Sequence, residues 1–299
     1  MIFTSDGRGS RGGCTSLRAM TFSIVARSAD GRAHGVAVAS KFLAVGAAVP
    51  AAEADVGALA TQSYANLAYR PQGLALLRTG VSAAGVVAGL TAADDGRDER
   101  QLGVVGVEGD GATFTGAKCH DWAGGLAGDG YAVQGNILVG PHVVESMRDS
   151  WLGSADEPRL AHRLLAALRA GDDAGGDRRG RQSAALVVVA KNMGYGGTSD
   201  VVVELRVEDH LDPVGELSRL LDLHTLYFEK PDPATLLPLA GDVAAEVRTM
   251  LSELGHTGDQ TSEGLDAALA DWAGIANLEE RLVPGLIDPL VLESLREQR

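Results

Sequence analysis

The junction Met20-Thr21 carries the most specific chemistry in the chain. If translation starts at Met20, removal of that methionine leaves Thr21 with a free α-amine beside its hydroxyl. A threonine with its own amine is a nucleophile and a general base in one residue. An α-amine has a reference pKa of about 7.7 to 8.0, near the pH at which a general base works best. Lys41, the sole lysine before residue 118, can depress that pKa through its charge; the alternative is a solvated strand-end lysine. Ser40 can hydrogen-bond the nucleophile or the lysine but supplies no charge. Ser63, Asn66 and Asn136 are candidate oxyanion donors and substrate clamps, with turn and strand-end bonding as the alternative. Asp177, Arg178, Arg179 and Arg181 form a polar loop. Its arginines can grip a substrate carboxylate at two points, unless the loop pairs only with itself.

These residues need a scaffold, and the alternation in the sequence supplies one. Thr21, Ser23, Val25 and Arg27 alternate with Phe22, Ile24 and Ala26, and Gly35–Lys41 repeats the pattern after Ala29-Asp30-Gly31. Period-two patterning around a glycine-containing turn predicts a β-hairpin. Residues 1–20 contain three arginines and no apolar run, so they read as neither a secretory signal nor a membrane anchor. Three readings stay open for them: an over-extended start, a removable propeptide, or an arm that leaves Thr21 internal.

Beyond the hairpin, residues 42–49 and 56–63 read as strands, 71–79 and 82–93 as helices, and 100–107 with 112–116 as a strand pair. Gly124–Gly130 reads as a flexible turn, 131–134 as a short strand, and 142–150 and 158–170 as helices. Strands follow at 183–190 and 200–207, then a helix opened by Asp212-Pro213. Strands and helices in such runs predict an α+β layered fold. Lys230-Pro-Asp-Pro233 marks a boundary. Residues 231–299 show helical signals and carry 13 acidic against 4 basic residues, a net −9 of the chain's −14. A separate acidic helical domain is the simplest account.

Net charge of −14 argues against nucleic-acid binding. The two cysteines are too few for a disulfide framework, and the seven histidines show no ligand spacing. No cofactor, metal or membrane span is expected, and a cytoplasmic location is the default.

Taken together, Thr21–Arg27, Gly35–Lys41, Ala60-Thr-Gln-Ser-Tyr-Ala-Asn66, Gly73–Arg78, Gln134-Gly-Asn136 and Gly175–Ala185 resemble an uncharacterised bacterial family placed in the N-terminal nucleophile (Ntn) hydrolase superfamily. The resemblance implies a four-layer αββα sandwich over 21–230, with Thr21 as nucleophile at the head of the first strand. It also implies a homo-oligomer. Ser40 stands where the related proteasome fold carries an acidic helper, so lysine activation of that type is in doubt. Residues 231–299, with Trp272–Arg281, resemble a small peptidoglycan-binding module. Two functions follow as expectations. One is an amide-bond hydrolase acting on a small-molecule or peptide amide; the other is a non-catalytic peptide or muropeptide binder on the same scaffold.

Overall fold

The computed structural model describes residues 21–298; the reading of 1–20 as an extension lies outside the described residues. The chain runs through β1 (Thr21–Arg27), β2 (Ala33–Ser40), a short helix α1 (Val45–Ala48), β3 (Pro50–Glu53) and β4 (Gly57–Ser63). Helices α2 (Tyr69–Arg78) and α3 (Ala83–Ala92) follow, then β5 (Arg100–Gly106), β6 (Ala112–Thr115), β7 (Gly124–Gly128) and β8 (Tyr131–Asn136). Next come α4 (His142–Gly153), α5 (Leu160–Asp173), β9 (Ser183–Ala190), β10 (Val201–Val207) and α6 (Pro213–Phe228). The C-terminal region holds β11 (Leu237–Pro238), α7 (Gly241–Glu253), α8 (Ser262–Ala276), β12 (Leu286–Ile287) and α9 (Pro289–Glu297).

Two antiparallel sheets carry residues 21–207, one ordered β10-β9-β2-β1-β8-β7 and the other β3-β4-β5-β6. The hairpin alternation explains how they are covered. Phe22, Ile24 and Ala26 of β1 join Ala37 and Ala39 of β2 in one core with Met147, Leu164, Leu168 and Leu217, so α4, α5 and α6 lie on that face. Val25, Val36 and Val38 point the other way and meet Ala58, Ala60 and Val105 of the second sheet. The far face of that sheet, through Leu59, Leu102 and Val104, packs on Tyr69, Leu77, Val86 and Leu90 of α2 and α3. A period of two in the strands thus sorts side chains into separate cores. Helix α5 lies close to β1 because Gly171 has no side chain; a Cβ there would sit 2.7 Å from Met147 Cγ and 3.3 Å from Phe22 Cδ2.

Two segments differ from the sequence-based expectation. Residues 42–49 form no strand. Ala44 adopts φ 55°, and the chain turns into α1, whose Val45 N–H donates to Ser183 Oγ at 3.1 Å. The strand is the next four residues, Pro50–Glu53, at the edge where proline's missing N–H matters least. Gly124–Gly128, read as a turn, is edge strand β7, paired with β8 in the register Gly125↔Gln134. Its glycines make room for close neighbours, since a Cβ on Gly125 would meet Thr113 Oγ1 and Val133 O at 2.7 Å. Turn-like composition there serves packing.

The C-terminal helices have their own core, centred on Val247, Met250, Leu251, Leu265, Leu269, Trp272 and Leu295, with Leu226 and Tyr227 of α6 packed against it. Arg281, 4% exposed, reaches out of this core. It donates from Nε to Leu226 O at 2.6 Å and from Nη2 to Thr225 O, and its Nη1 pairs with buried Asp288. A cation on the last carbonyls of α6 complements the negative end of that helix dipole.

Three half-buried or buried histidines have ring nitrogens without partners: His34, His162 and His224. Burial pushes all three imidazoles below their ordinary range, with Arg27 adding to the effect at His34 and Arg159 at His162. The folded state therefore holds them neutral at pH values where the unfolded chain binds protons. Their contribution is complete above the unfolded histidine pKa of about 6.5 and is lost as pH falls toward the depressed folded values. Unfolding free energy is expected to drop between pH 7 and 5, as the unfolded chain binds protons that the folded histidines do not. Urea titrations across that range check this, and a His34→Leu variant should show a flatter profile.

Candidate active site

Register places the candidate residues in one row. Thr21 opposes Asn136 of β8, the hairpin step Phe22↔Ala39 sets Thr21 beside Ser40, and Ser40 opposes Ser183 of β9. Asn136, Thr21, Ser40 and Ser183 thus line the end of four adjacent strands, each 2% exposed or less. Thr21 Oγ1 lies 3.2 Å from Ser40 Oγ. Ser183 Oγ donates to Phe42 O while accepting from Val45 N. The row is capped where β2 turns into α1.

Beneath the row the two sheets are joined by carboxamides, and their orientation follows from the bonds they make. Gln101 Nε2 faces three acceptors, Gly135 O at 2.7 Å, Thr115 Oγ1 at 2.9 Å and Gly124 O at 3.3 Å. Its Oε1 therefore faces Gln62 Nε2 at 2.8 Å and Asn136 Nδ2 at 2.9 Å. Both of these groups also donate to the Thr21 carbonyl, at 3.2 and 3.5 Å. Gln62 Oε1 accepts from Ser23 Oγ at 2.6 Å, and Gln134 Nε2 donates to that hydroxyl at 2.6 Å. Gln134 Oε1 has no hydrogen-bond partner and rests over Gly103, where a Cβ would come within 2.0 Å. Low dielectric strengthens such a network but penalises any gap in it. Gln101→Leu is expected to cost about 2–4 kcal/mol, because it strands donors and acceptors on both sheets. A shifted urea midpoint at unchanged slope checks this.

The ends of the strands are backbone-strained. Ile137, directly after Asn136, holds φ 51° and Ser63, ending β4, holds φ 65°. A β-branched residue at positive φ is costly and is retained only where its surroundings fix it. Ile137 is fixed by its N–H donating to His120 O at 2.9 Å and its carbonyl accepting from Arg178 N at 3.3 Å.

The loop at 177–181 closes over this end. Asp177 Oδ2 accepts from Lys41 N at 2.7 Å and from Arg179 Nη2 at 3.2 Å; Oδ1 accepts from Arg179 N at 2.8 Å. Lys41 itself is exposed, and its Nζ donates to Arg181 O at 3.1 Å. Arg181 pairs with Asp172 at 2.9 Å. Thr21, Ser40, Asn136, Asp177, Arg178 and Lys41 are therefore brought to one end of the sheet.

Asn66 and Ser63 have other neighbours. Asn66 Nδ2 donates to Asp94 Oδ2 at 3.1 Å and its Oδ1 accepts from Ala68 N, so both ends are occupied. Asp94 also accepts from Arg100 Nε at 2.9 Å and from Tyr69 Oη at 2.9 Å; the Arg100 bond foremost holds its carboxyl well below the usual range, while burial, with the Asp94 bond adding to it, pushes the Tyr69 phenol up. Ser63 hydrogen-bonds Cys119, a contact that opposes the upward push of burial on the thiol. In Asn136 the amide nitrogen is spent on Gln101 and the Thr21 carbonyl, while Oδ1 is buried without a donor. Sequence reasoning missed Gln62 and Gln101. Their one signal was a single glutamine within each of two buried strands, Gly57–Ser63 and Arg100–Gly106.

A cavity of about 450 Å³ opens elsewhere, between β3, α2 and the inner face of β9–β10, lined by Pro50, Leu67, Arg70, Val187 and Val201. Among the described residues no group of His, Cys, Asp or Glu is arranged to hold a metal, and no helix is long and apolar enough to cross a membrane.

Residues 21–217 match a model described as "Family of unknown function (DUF1028)", and residues 227–295 match one described as "Putative peptidoglycan binding domain". Comparison with curated proteins returns no match. Among solved structures, a Silicibacter pomeroyi protein also assigned to DUF1028 is 29% identical. That match covers 76% of this chain and 92% of that one, with a TM-score of 0.62.

Proposed function

We propose that this chain, which belongs to the DUF1028 family of unknown function, is an amide-bond hydrolase of the N-terminal nucleophile type, with Thr21 as nucleophile. One observation carries the reading: Thr21 heads β1 with its Oγ1 3.2 Å from Ser40 Oγ, both side chains buried at the end of four adjacent strands. The two face-to-face sheets with helices outside them are, on this reading, the αββα sandwich of that superfamily.

The chemistry proceeds as follows. Thr21 Oγ1 attacks the substrate carbonyl while its proton passes to the α-amine, directly or through Ser40. The C–N bond breaks, and the amine proton goes to the leaving nitrogen. Water then attacks the resulting ester, returning the threonine hydroxyl and releasing the acid. Gln62 and Asn136 hold the Thr21 carbonyl and so set the rotation of the nucleophile. Ser40 is uncharged, so it can relay or orient the proton but adds no charge.

The reading requires a chain that starts at Thr21. Intact mass and N-terminal sequencing of the protein from its native host test this: a Thr21 start is expected, and retention of residues 1–20 overturns the mechanism.

A second activity is attached to the C-terminal domain, favoured by its family match. A small cavity there, about 120 Å³, is lined by Arg248, Leu251, His256, Gln260 and Leu265. Titrating the full-length protein with muropeptides should broaden or shift signals from these residues; no change removes the assignment.

A further inference from the structure

Four cations gather where the strand row ends: Lys41, Arg178, Arg179 and Arg181. Two are neutralised, Arg179 by Asp177 within the loop and Arg181 by Asp172 at the end of α5. Lys41 and Arg178 have no carboxylate partner among the described residues, and both are exposed. The Lys41 ammonium is held at 3.1 Å by a carbonyl, which orients it without cancelling its charge.

Their placement relative to Thr21 follows from register. Lys41 directly follows Ser40, whose hydroxyl contacts Thr21 on the β2 side. Arg178 hydrogen-bonds Ile137, which directly follows Asn136, the Thr21 partner on the β8 side. The buried Asp177 fixes both, through its bond to Lys41 N and its position one residue before Arg178. Two residues whose cations have no carboxylate partner among the described residues thus flank the head of β1, in a chain whose net charge is −14.

We propose that Lys41 and Arg178 form a carboxylate clamp beside Thr21, making the substrate class N-acyl amino acids or short peptides with a free carboxylate. The proposal rests on the Thr21 reading for its catalytic meaning, but the clamp itself is a binding site. The chain's overall negative field repels anions at long range, so selection must come from two-point contact at the site. Asn136 Oδ1, buried without a donor, is the acceptor available there to a substrate N–H. Amide and carboxylate would then be read together.

The test uses full-length protein with Thr21→Ala, so that binding is read without turnover. The probes are N-acetyl-L-alanine and its neutral isostere N-acetyl-L-alaninamide, compared by ligand-observed NMR. The acid is expected to bind about tenfold more tightly than the amide, a preference that weakens with salt and vanishes in Lys41→Gln/Arg178→Gln. Both side chains are exposed, and circular dichroism verifies that the variants fold. Equal binding of the two probes, binding of neither, or a preference that survives the double substitution overturns the clamp. A second arm follows hydrolysis by the unsubstituted protein. Equal turnover of acid and amide overturns the clamp while keeping Thr21 as nucleophile; selective binding with no turnover keeps the clamp and removes the hydrolase reading for this class.

Discussion

Thr21→Ala is expected to abolish amide hydrolysis, lowering kcat by about 10⁴ to 10⁶, the range seen when a covalent nucleophile is removed. The loss should be confined to chemistry. Thr21 contributes a carbonyl to Gln62 and Asn136, and alanine keeps that group, so the carboxamide network between the sheets stays intact. What disappears is Oγ1 and its contact with Ser40. Thr21→Ser keeps the hydroxyl and should retain measurable turnover, while Ser40→Ala should reduce it by a smaller factor, since serine relays or orients and supplies no charge. The measurement is single-turnover release of amine from an N-acyl amino acid, alongside a urea titration of each variant. Undiminished turnover in Thr21→Ala would sink the mechanism; equal loss of stability and turnover would recast Thr21 as structural.

The second large effect lies at Arg281. Arg281→Ala removes three bonds at once and leaves Asp288 as a buried, uncompensated carboxylate. Stranding one member of a buried ion pair typically costs about 3–5 kcal/mol. Here the same carboxylate also caps α9 through Oδ1, which accepts from Leu290 N at 2.9 Å, so the damage reaches the last helix. Trp272 lies in the adjoining core and reports on it by fluorescence. The double variant Arg281→Met/Asp288→Leu should recover much of the loss, because an apolar pair of similar volume carries no desolvation cost. Failure of the double variant to recover would show that the carbonyls of Thr225 and Leu226 matter more than the charge pair.

The parts of the fold written locally were legible in the sequence. Alternation in 21–41 predicts the hairpin, and Ser82 and Asp212 sit at the helix starts where their side chains accept from Gly85 N and Gly215 N. What failed was set by tertiary context. Residues 42–49 have the apolar character of a strand, but they turn because Ser183, 138 residues away from Val45, accepts its N–H. Gly124–Gly128 has turn-like composition but pairs because neighbouring strands crowd it. Gln62 and Gln101 face one another across two strands and reach a third in the other sheet. No local window contains that arrangement.

Helix α6 belongs to two cores at once, with Leu217 and Leu221 in the first and Leu226 and Tyr227 against the second. The boundary at Lys230 is therefore no place for clean excision. Cutting there would uncover Leu226 and Tyr227 and leave two helix-terminal carbonyls without Arg281. A calorimetric scan of the intact chain should accordingly give one merged endotherm, the shared helix acting as an axle on which both bodies melt together.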